Sequence, residues 1–135
     1  MPGFRCYLTF DGENDIDRWY HAQPPNVRGA VIATLSSLSR RPRHLWRRKP
    51  FGTLKGPTCL GLGEIRVEEP KGSHHRILGF FDGATSDFVL VYAFAKDADP
   101  AYLTACPEAQ TRRMRIEQNR SRARACHFPT GGFPG

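Results

Sequence analysis

The sequence predicts an α+β domain in which an N-terminal helical hairpin packs on one face of an antiparallel sheet of about four strands, followed by a C-terminal helix. Three observations predict it: a helical period of apolar residues after a pair of prolines, a series of β-prone segments joined by short turns, and a helix-forming segment near the C-terminus. With 135 residues the chain has the length of one domain. We expect this domain to span residues 1–126 and residues 127–135 to form a disordered tail.

The first part of the chain predicts one strand and two helices. Residues 5–10 are β-prone and stop at an Asp-Gly turn pair. Asp15 is suited to cap a short helix, which the prolines at 24–25 would end. An amphipathic helix follows over residues 25–40. Its apolar residues at helical spacing are Val27, Ala30, Val31, Leu35 and Leu38.

Three β-prone segments follow the helical hairpin. Residues 62–68 alternate between apolar and polar side chains, with Ile65 and Val67 on one side. Residues 75–81 form the next strand, and residues 88–94 are apolar on both sides, which predicts a central strand. Links of about six residues are typical of hairpins, so these strands form a meander, with the N-terminal strand as a fourth member.

The C-terminal segment over residues 100–124 predicts a helix that is broken or kinked at Pro107. Its apolar residues form a poor stripe among many arginines, so we expect it not to be packed deeply. Those arginines also allow an interpretation as a DNA-binding helix, which predicts a steep salt dependence of duplex binding.

The charge of the chain favours an anionic partner. The net charge is +7, and residues 24–55 hold eight basic residues and no acidic one. Within this basic segment, Trp46 could stack on a base, or it could instead plug the edge of the core while the segment remains a solvated loop. The residues of the segment that we expect to contact an RNA strand are Arg43, Trp46, Arg47, Arg48, Lys49 and Lys55.

The four cysteines lie far apart in the sequence and form no metal-ligand spacing. No secretory signal and no apolar run long enough to cross a membrane are visible, so we expect reduced thiols in a cytoplasmic protein. No carboxylate cluster has the spacing of a metal site, and no phosphate-binding glycine loop is present. The sequence therefore predicts no metal and no cofactor.

Arg66 and Arg76 are the first candidates for chemistry. Arg66 points away from the apolar side of its strand, and Arg76 begins the next strand. Arginines on neighbouring strands can present two planar, permanently charged groups to one phosphate. In the alternative interpretation, Arg66 only forms a surface ion pair with Glu64 or Glu68.

His74 and Lys96 are the other catalytic candidates. Adjacent strand residues point to opposite faces, so His74 rather than His75 joins Arg76, and a histidine beside cations is suited to act as a general base. Lys96 follows the central strand and would add a cation to the same cleft. In the alternative interpretation, both are loop residues without a role.

Several short segments within residues 54–100, taken in order, resemble the phage-derived HigB-like branch of the RelE toxin superfamily, and the resemblance covers roughly residues 5–122. They are Leu54-Lys55-Gly56, Gly61-Leu62-Gly63-Glu64-Ile65-Arg66, Arg76-Ile77-Leu78-Gly79-Phe80-Phe81, Ala93-Phe94-Ala95-Lys96 and Pro100. Two positions depart from the pattern of that branch. Ala95 stands where a lysine is usual, and His75 stands where an aromatic residue is common.

The resemblance implies a RelE-like fold and the toxin component of a type II toxin–antitoxin system. Such a toxin is a metal-independent, ribosome-dependent endoribonuclease (an mRNA interferase) that inhibits translation. It implies that Arg66 and Arg76 stabilise the charge on the reacting phosphate and that Lys96 supports them. The expected partners are mRNA on the ribosome and a small helix-turn-helix antitoxin. A non-catalytic RNA- or protein-binding regulator that retains the fold is the alternative.

Overall fold

The computed structural model describes residues 2–47, 49–69, 72, 74–96 and 101–128. Within these residues the chain forms three α-helices and six β-strands, so the predicted α+β class is confirmed. The helices are α1 Asp15–His21, α2 Pro25–Ser39 and α3 Ala101–Gln118. The strands are β1 Phe4–Tyr7, β2 Phe51–Thr53, β3 Gly63–Glu68, β4 His74–Phe81, β5 Phe88–Ala95 and β6 Ala123–Ala125.

The strands form one sheet in the order β2-β3-β4-β5-β1-β6. The β3-β4-β5 meander is antiparallel, as predicted, and β1 joins the sheet as a parallel neighbour of β5. Two strands that the sequence did not predict occupy the sheet edges. Both β2 and β6 have three residues, which is too short to show an alternating pattern.

The C-terminal region differs from the predicted helix over residues 100–124. Helix α3 ends at Gln118, where the Asn119 side chain caps a short 3₁₀ turn. The chain then pairs antiparallel with β1 through β6, and Ala123 is buried. The helix is also packed more deeply than expected, because Ala105, Ala109 and Ile116 are fully buried.

The sheet is covered on both faces, whereas the sequence predicted helices on one face. The first apolar core includes residues of α1, α2 and one side of the sheet, among them Val31, Leu35 and Ile65. The second core lies on the other side and includes Leu78 together with α3 residues such as Ala109. We refer to these sides as the α2 face and the α3 face.

Two disulfide bonds connect distant parts of the chain, so the expectation of four reduced thiols is wrong. Cys6 in β1 is bonded to Cys126, just after β6. Cys59 in the β2–β3 loop is bonded to Cys106 in α3. The cysteines of each pair are far apart in the sequence, and only the sheet order and the position of α3 bring them together.

The beginning of the expected tail belongs to the fold. His127 donates its backbone N–H to Asp17, and Phe128 is buried against Tyr20. Residues 129–135 lie outside the described residues. No helix among the residues described is long and apolar enough to cross a membrane.

Candidate functional site

The β3–β4 ladder places Arg66 directly opposite Arg76. Both side chains lie on the α3 face, because their chain neighbours Ile65 and Ile77 point into the core of the α2 face and adjacent strand residues point to opposite faces. The Arg66 side chain is 23% exposed, whereas that of Arg76 is only 4% exposed. The two predicted arginines are therefore neighbours, but they differ strongly in their access to solvent.

Glu64 lies between the two arginines and is itself buried. Its Oε1 accepts a hydrogen bond from Arg66 Nε at 3.0 Å, and its Oε2 lies 3.9 Å from Arg76 Nε. The Tyr102 hydroxyl, near the start of α3, donates to the same Oε2 at 2.6 Å. The ion pair considered as the alternative role of Arg66 is thus present, and it is part of a buried network.

Glu68 and His74 form the exposed side of this network. Arg76 Nη2 donates to Glu68 Oε1 at 3.4 Å, and His74 Nδ1 lies 3.8 Å from the same oxygen. The side chains of Glu68 and His74 are 36% and 37% exposed. A ligand that approaches this side would meet the carboxylate and the imidazole before it reaches Arg76.

Lys96 meets this cluster through its backbone. Its N–H donates to the His74 carbonyl at 2.9 Å, which fixes the end of β5 beside the start of β4. The Lys96 residue is exposed. The four catalytic candidates therefore lie at one end of the β3–β4–β5 meander.

The charges within the cluster balance in the resting structure. Two guanidinium groups, Arg66 and Arg76, face two carboxylates, Glu64 and Glu68. Buried carboxylates of this kind hold arginine side chains in a fixed geometry, at the cost of reducing the field that a phosphate would feel. The cluster can therefore orient an anion, provided that the anion replaces Glu68 at Arg76.

Burial, followed by the hydrogen bond to Glu64 and its negative charge, raises the pKa of Tyr102 to about 12. The unfolded chain loses the phenol proton near pH 10, so between these values the folded state binds more protons and its stability falls as the pH rises. Stability from this group is fully present below pH 10.

We expect Tyr102→Phe to reduce the loss of stability between about pH 10 and pH 12, because phenylalanine has no proton to lose. Urea unfolding below and within this range measures the effect. Tyr92→Phe removes a hydroxyl elsewhere on the α3 face and should keep the alkaline decline. An unchanged decline in Tyr102→Phe would contradict the assignment.

The structure decides between the two interpretations of the basic segment and favours the one in which Trp46 plugs the edge of the core. Trp46 is only 6% exposed, it packs against Phe4 and Phe88, and its Nε1 donates to the Arg41 carbonyl. A ring held this way is part of the core and is not free to stack on a base, so the core-edge alternative describes Trp46 correctly. Arg43, Arg47, Lys49 and Lys55 are exposed, and Arg48 lies outside the described residues.

Three members of the cluster were not identified from the sequence as site residues. Glu64 and Glu68 could have been found, because they have the same strand parity as Arg66. Tyr102 gave no signal, because its contact with Glu64 depends on where α3 crosses the sheet. Among the residues that the structure describes, no group of three or more His, Cys, Asp or Glu side chains is arranged to hold a metal ion.

A family model described as "Phage derived protein Gp49-like (DUF891)" matches residues 18–114. This range includes α2, the β2–β5 part of the sheet and most of α3. It therefore contains the whole cluster around Arg66 and Arg76. No curated protein and no solved structure matches the chain.

Proposed function

The chain belongs to the Gp49-like family of phage-derived proteins, and we propose that it is the toxin of a type II toxin–antitoxin system that cleaves mRNA on the ribosome. The family is associated with RelE/HigB-like toxins and is consistent with an antitoxin partner. The proposal that the chain is a HigB-like endoribonuclease, with a helix-turn-helix antitoxin, goes further than the family match. The nuclease activity rests on the arrangement of the candidate site, and the helix-turn-helix antitoxin rests on the resemblance of the motifs to the HigB-like branch.

One observation carries the proposal: Arg66 and Arg76 are directly opposite each other on neighbouring strands, next to an exposed carboxylate–imidazole pair. Two adjacent guanidinium groups are suited to the negative charge that builds up on a phosphate during cleavage. Glu68 and His74 supply groups that can accept a proton. Cleavage of RNA by attack of the ribose 2′-hydroxyl on the adjacent phosphate needs at least one cation to stabilise the phosphate charge and one group to accept the hydroxyl proton. Both kinds of group are present in this cluster.

In the proposed reaction the ribose 2′-oxygen attacks the adjacent phosphorus atom and the bond from phosphorus to the 5′-oxygen breaks. His74, oriented by Glu68, takes the proton of the 2′-hydroxyl. Arg66 and Arg76 stabilise the negative charge on the phosphoryl oxygens. Lys96 gives a proton to the departing 5′-oxygen, so the products are a cyclic phosphate and a free 5′-hydroxyl.

The resting ion pairs imply an order of events. Arg76 is covered by Glu64 and Glu68, and only Glu68 of these two carboxylates is appreciably exposed. A phosphate that enters from the exposed side replaces Glu68 at Arg76, while Glu64 and Tyr102 continue to hold the arginines from below. Glu68 released in this way remains next to His74 as its partner.

We test this function by adding the purified chain to a translating extract and mapping new 5′ ends on the mRNA. Wild type should cleave the message only during translation, and Arg66→Ala should lower the rate about 100- to 1,000-fold. Arg18→Ala removes an exposed arginine of α1 that pairs with Glu13, and this variant should cleave mRNA like wild type. A wild-type chain that leaves the mRNA intact would refute the nuclease proposal.

The alternative function is a non-catalytic RNA- or protein-binding regulator. The pairing of both arginines with buried or partly buried carboxylates favours it, because such networks also occur for purely structural reasons. The same extract separates the two functions. A regulator would bind its RNA or protein partner without generating new 5′ ends on the mRNA, so wild type and Arg66→Ala would leave the same pattern of 5′ ends.

A further inference from the structure

A cavity of about 760 Å³ lies at the end of the sheet opposite the Arg66–Arg76 cluster. Its walls come from the basic segment, the β2–β3 loop, β4 and α3. Aromatic rings form much of its surface, and arginines stand on two sides. The residues that define its chemistry are Arg43, Trp46, Phe51, Phe80, Phe81 and Arg113.

Both arginines of the cavity lie over phenylalanine rings. The Arg43 guanidinium carbon lies 4.0 Å from the centre of the Phe81 ring, and that of Arg113 lies 5.1 Å from the centre of Phe80. A cation–π contact of this kind holds a guanidinium group beside the ring without using its hydrogen-bond donors. Guanidinium planes stack on nucleobases and donate to phosphate oxygens.

The β2–β3 loop contributes to the position of Arg113. Gly61 has a φ of +83°, and a side chain at this position would collide with the Arg113 guanidinium. Arg113 Nε lies 3.6 Å from Glu117 Oε2, and the Arg113 side chain is 30% exposed, so its guanidinium group is accessible to another partner. Arg113 is therefore held against the loop backbone and presented to the cavity.

The charge of the cavity is complementary to an anion. None of the described residues that line it is acidic, and they include two arginines and His44. Lys49 and Lys55, on either side of β2, are also exposed. An aromatic surface with cations on two sides fits a flat, anionic molecule, and a nucleotide has both properties.

The edge strand β2 connects this cavity with the Arg66–Arg76 cluster. Gly52 lies under the Arg66 guanidinium, where a side chain would displace it, and Thr53, the next residue, lines the cavity. Phe80 lies four positions after Arg76 in β4, which corresponds to about 13 Å along the strand. A single strand of a few nucleotides can therefore occupy both places along this edge.

We infer that the cavity is a nucleotide subsite, in which one base of a single-stranded RNA stacks on Arg43 or Arg113 while the neighbouring phosphate binds their guanidinium groups. The inference rests on the proposed function in one respect, since it takes the substrate to be single-stranded RNA. It adds a position at which the strand is held at a distance from the reacting phosphate. It also adds Arg113, which lies outside the basic segment.

The test measures the affinity of a short, fluorescently labelled 2′-O-methyl RNA, which cannot be cleaved, by fluorescence anisotropy without ribosomes. Arg43→Gln and Arg113→Gln should each weaken binding about tenfold or more, because each removes charged hydrogen bonds and a stacking plane. Arg40→Gln is the matched control. It removes one exposed charge from the basic segment without touching the cavity, so its affinity should stay close to that of wild type.

Three further ligands identify what the cavity recognises. An abasic strand with the same number of phosphates should bind about tenfold more weakly, because it has no base to stack. A nucleoside monophosphate should compete poorly, because it lacks the rest of the strand. Polyglutamate, which carries negative charge without bases, should displace the RNA only at much higher concentration.

The inference is overturned if Arg113→Gln binds RNA like Arg40→Gln, or if the abasic strand binds as tightly as the RNA. Equal competition by the monophosphate would make the cavity a site for free nucleotides, and equal competition by polyglutamate would make it an acidic-peptide surface. If RNA binding behaves as expected but the chain does not cleave mRNA in the translating extract, the nuclease proposal is refuted and the subsite is retained. If the chain cleaves mRNA but Arg113→Gln binds RNA like wild type, the subsite is refuted and the nuclease proposal is retained.

Discussion

Cys6→Ala combined with Cys126→Ala should lower the free energy of unfolding by about 5 kcal/mol, because the bond between these cysteines spans 120 residues of chain. In the chain-entropy description, closing so long a loop removes much of the freedom of the unfolded chain. A loss of this size is a large fraction of the total stability of a domain. Urea unfolding without reductant measures it.

The second bond provides a matched comparison. Cys59→Ala combined with Cys106→Ala opens a separation of 47 residues, for which we expect a loss of about 4 kcal/mol. With a dithiol reductant in excess, wild type and both variants should approach the same stability, because every cross-link is then open. A difference that persists unchanged under reductant would show that the variants act through packing and not through the bonds.

Arg76→Ala should lower the rate of mRNA cleavage about 100- to 1,000-fold and should also lower the free energy of unfolding by about 3 kcal/mol. The first effect follows from the loss of a guanidinium group at the reacting phosphate. The second follows because Glu64 and Glu68 would lose their shared partner while Glu64 stays buried. Cleavage rates in the translating extract and urea unfolding measure the two effects separately.

Two variants separate catalysis from stability at this position. Arg112→Ala removes another largely buried arginine, which pairs with Asp15 and donates to the Val91 carbonyl, so it should destabilise the fold but keep cleavage. Arg76→Lys keeps the charge and loses the planar fork, so it should cleave at an intermediate rate. If Arg112→Ala loses as much cleavage as Arg76→Ala, the loss reflects unfolding and Arg76 has no specific role.

Strand parity explains which parts of the site could be predicted from the sequence. The alternation in β3 places Arg66 away from Ile65 and Val67, and the structure has Arg76 and His74 on that same face. This information is local, because it depends only on residues two positions apart. The α+β class and the meander follow from the same kind of pattern.

The features that the sequence left open or missed depend on contacts between distant residues. The sequence allowed Trp46 to be either a stacking ring or a plug at the core edge, and the turn after α2 decides between them by placing it among the rings of Phe4, Phe51 and Phe88. The cysteine pairs likewise become visible only when β6 lies beside β1 and α3 lies beside the β2–β3 loop. Local spacing contains no information about these contacts.

The position of β1 in the sheet has a consequence for the order in which the chain folds. The β3-β4-β5 meander pairs neighbours in sequence, so it can form as soon as these strands have left the ribosome. Strand β1 is synthesised first, but Phe4 pairs with Phe88 and Arg5 pairs with Ala125. The first strand therefore finds its partner on one side only after β5 has been synthesised, and its partner on the other side only after β6. In a nascent chain Arg66 and Arg76 can be paired as soon as the meander has formed, but the sheet is complete only after β6 has been synthesised and has left the ribosome.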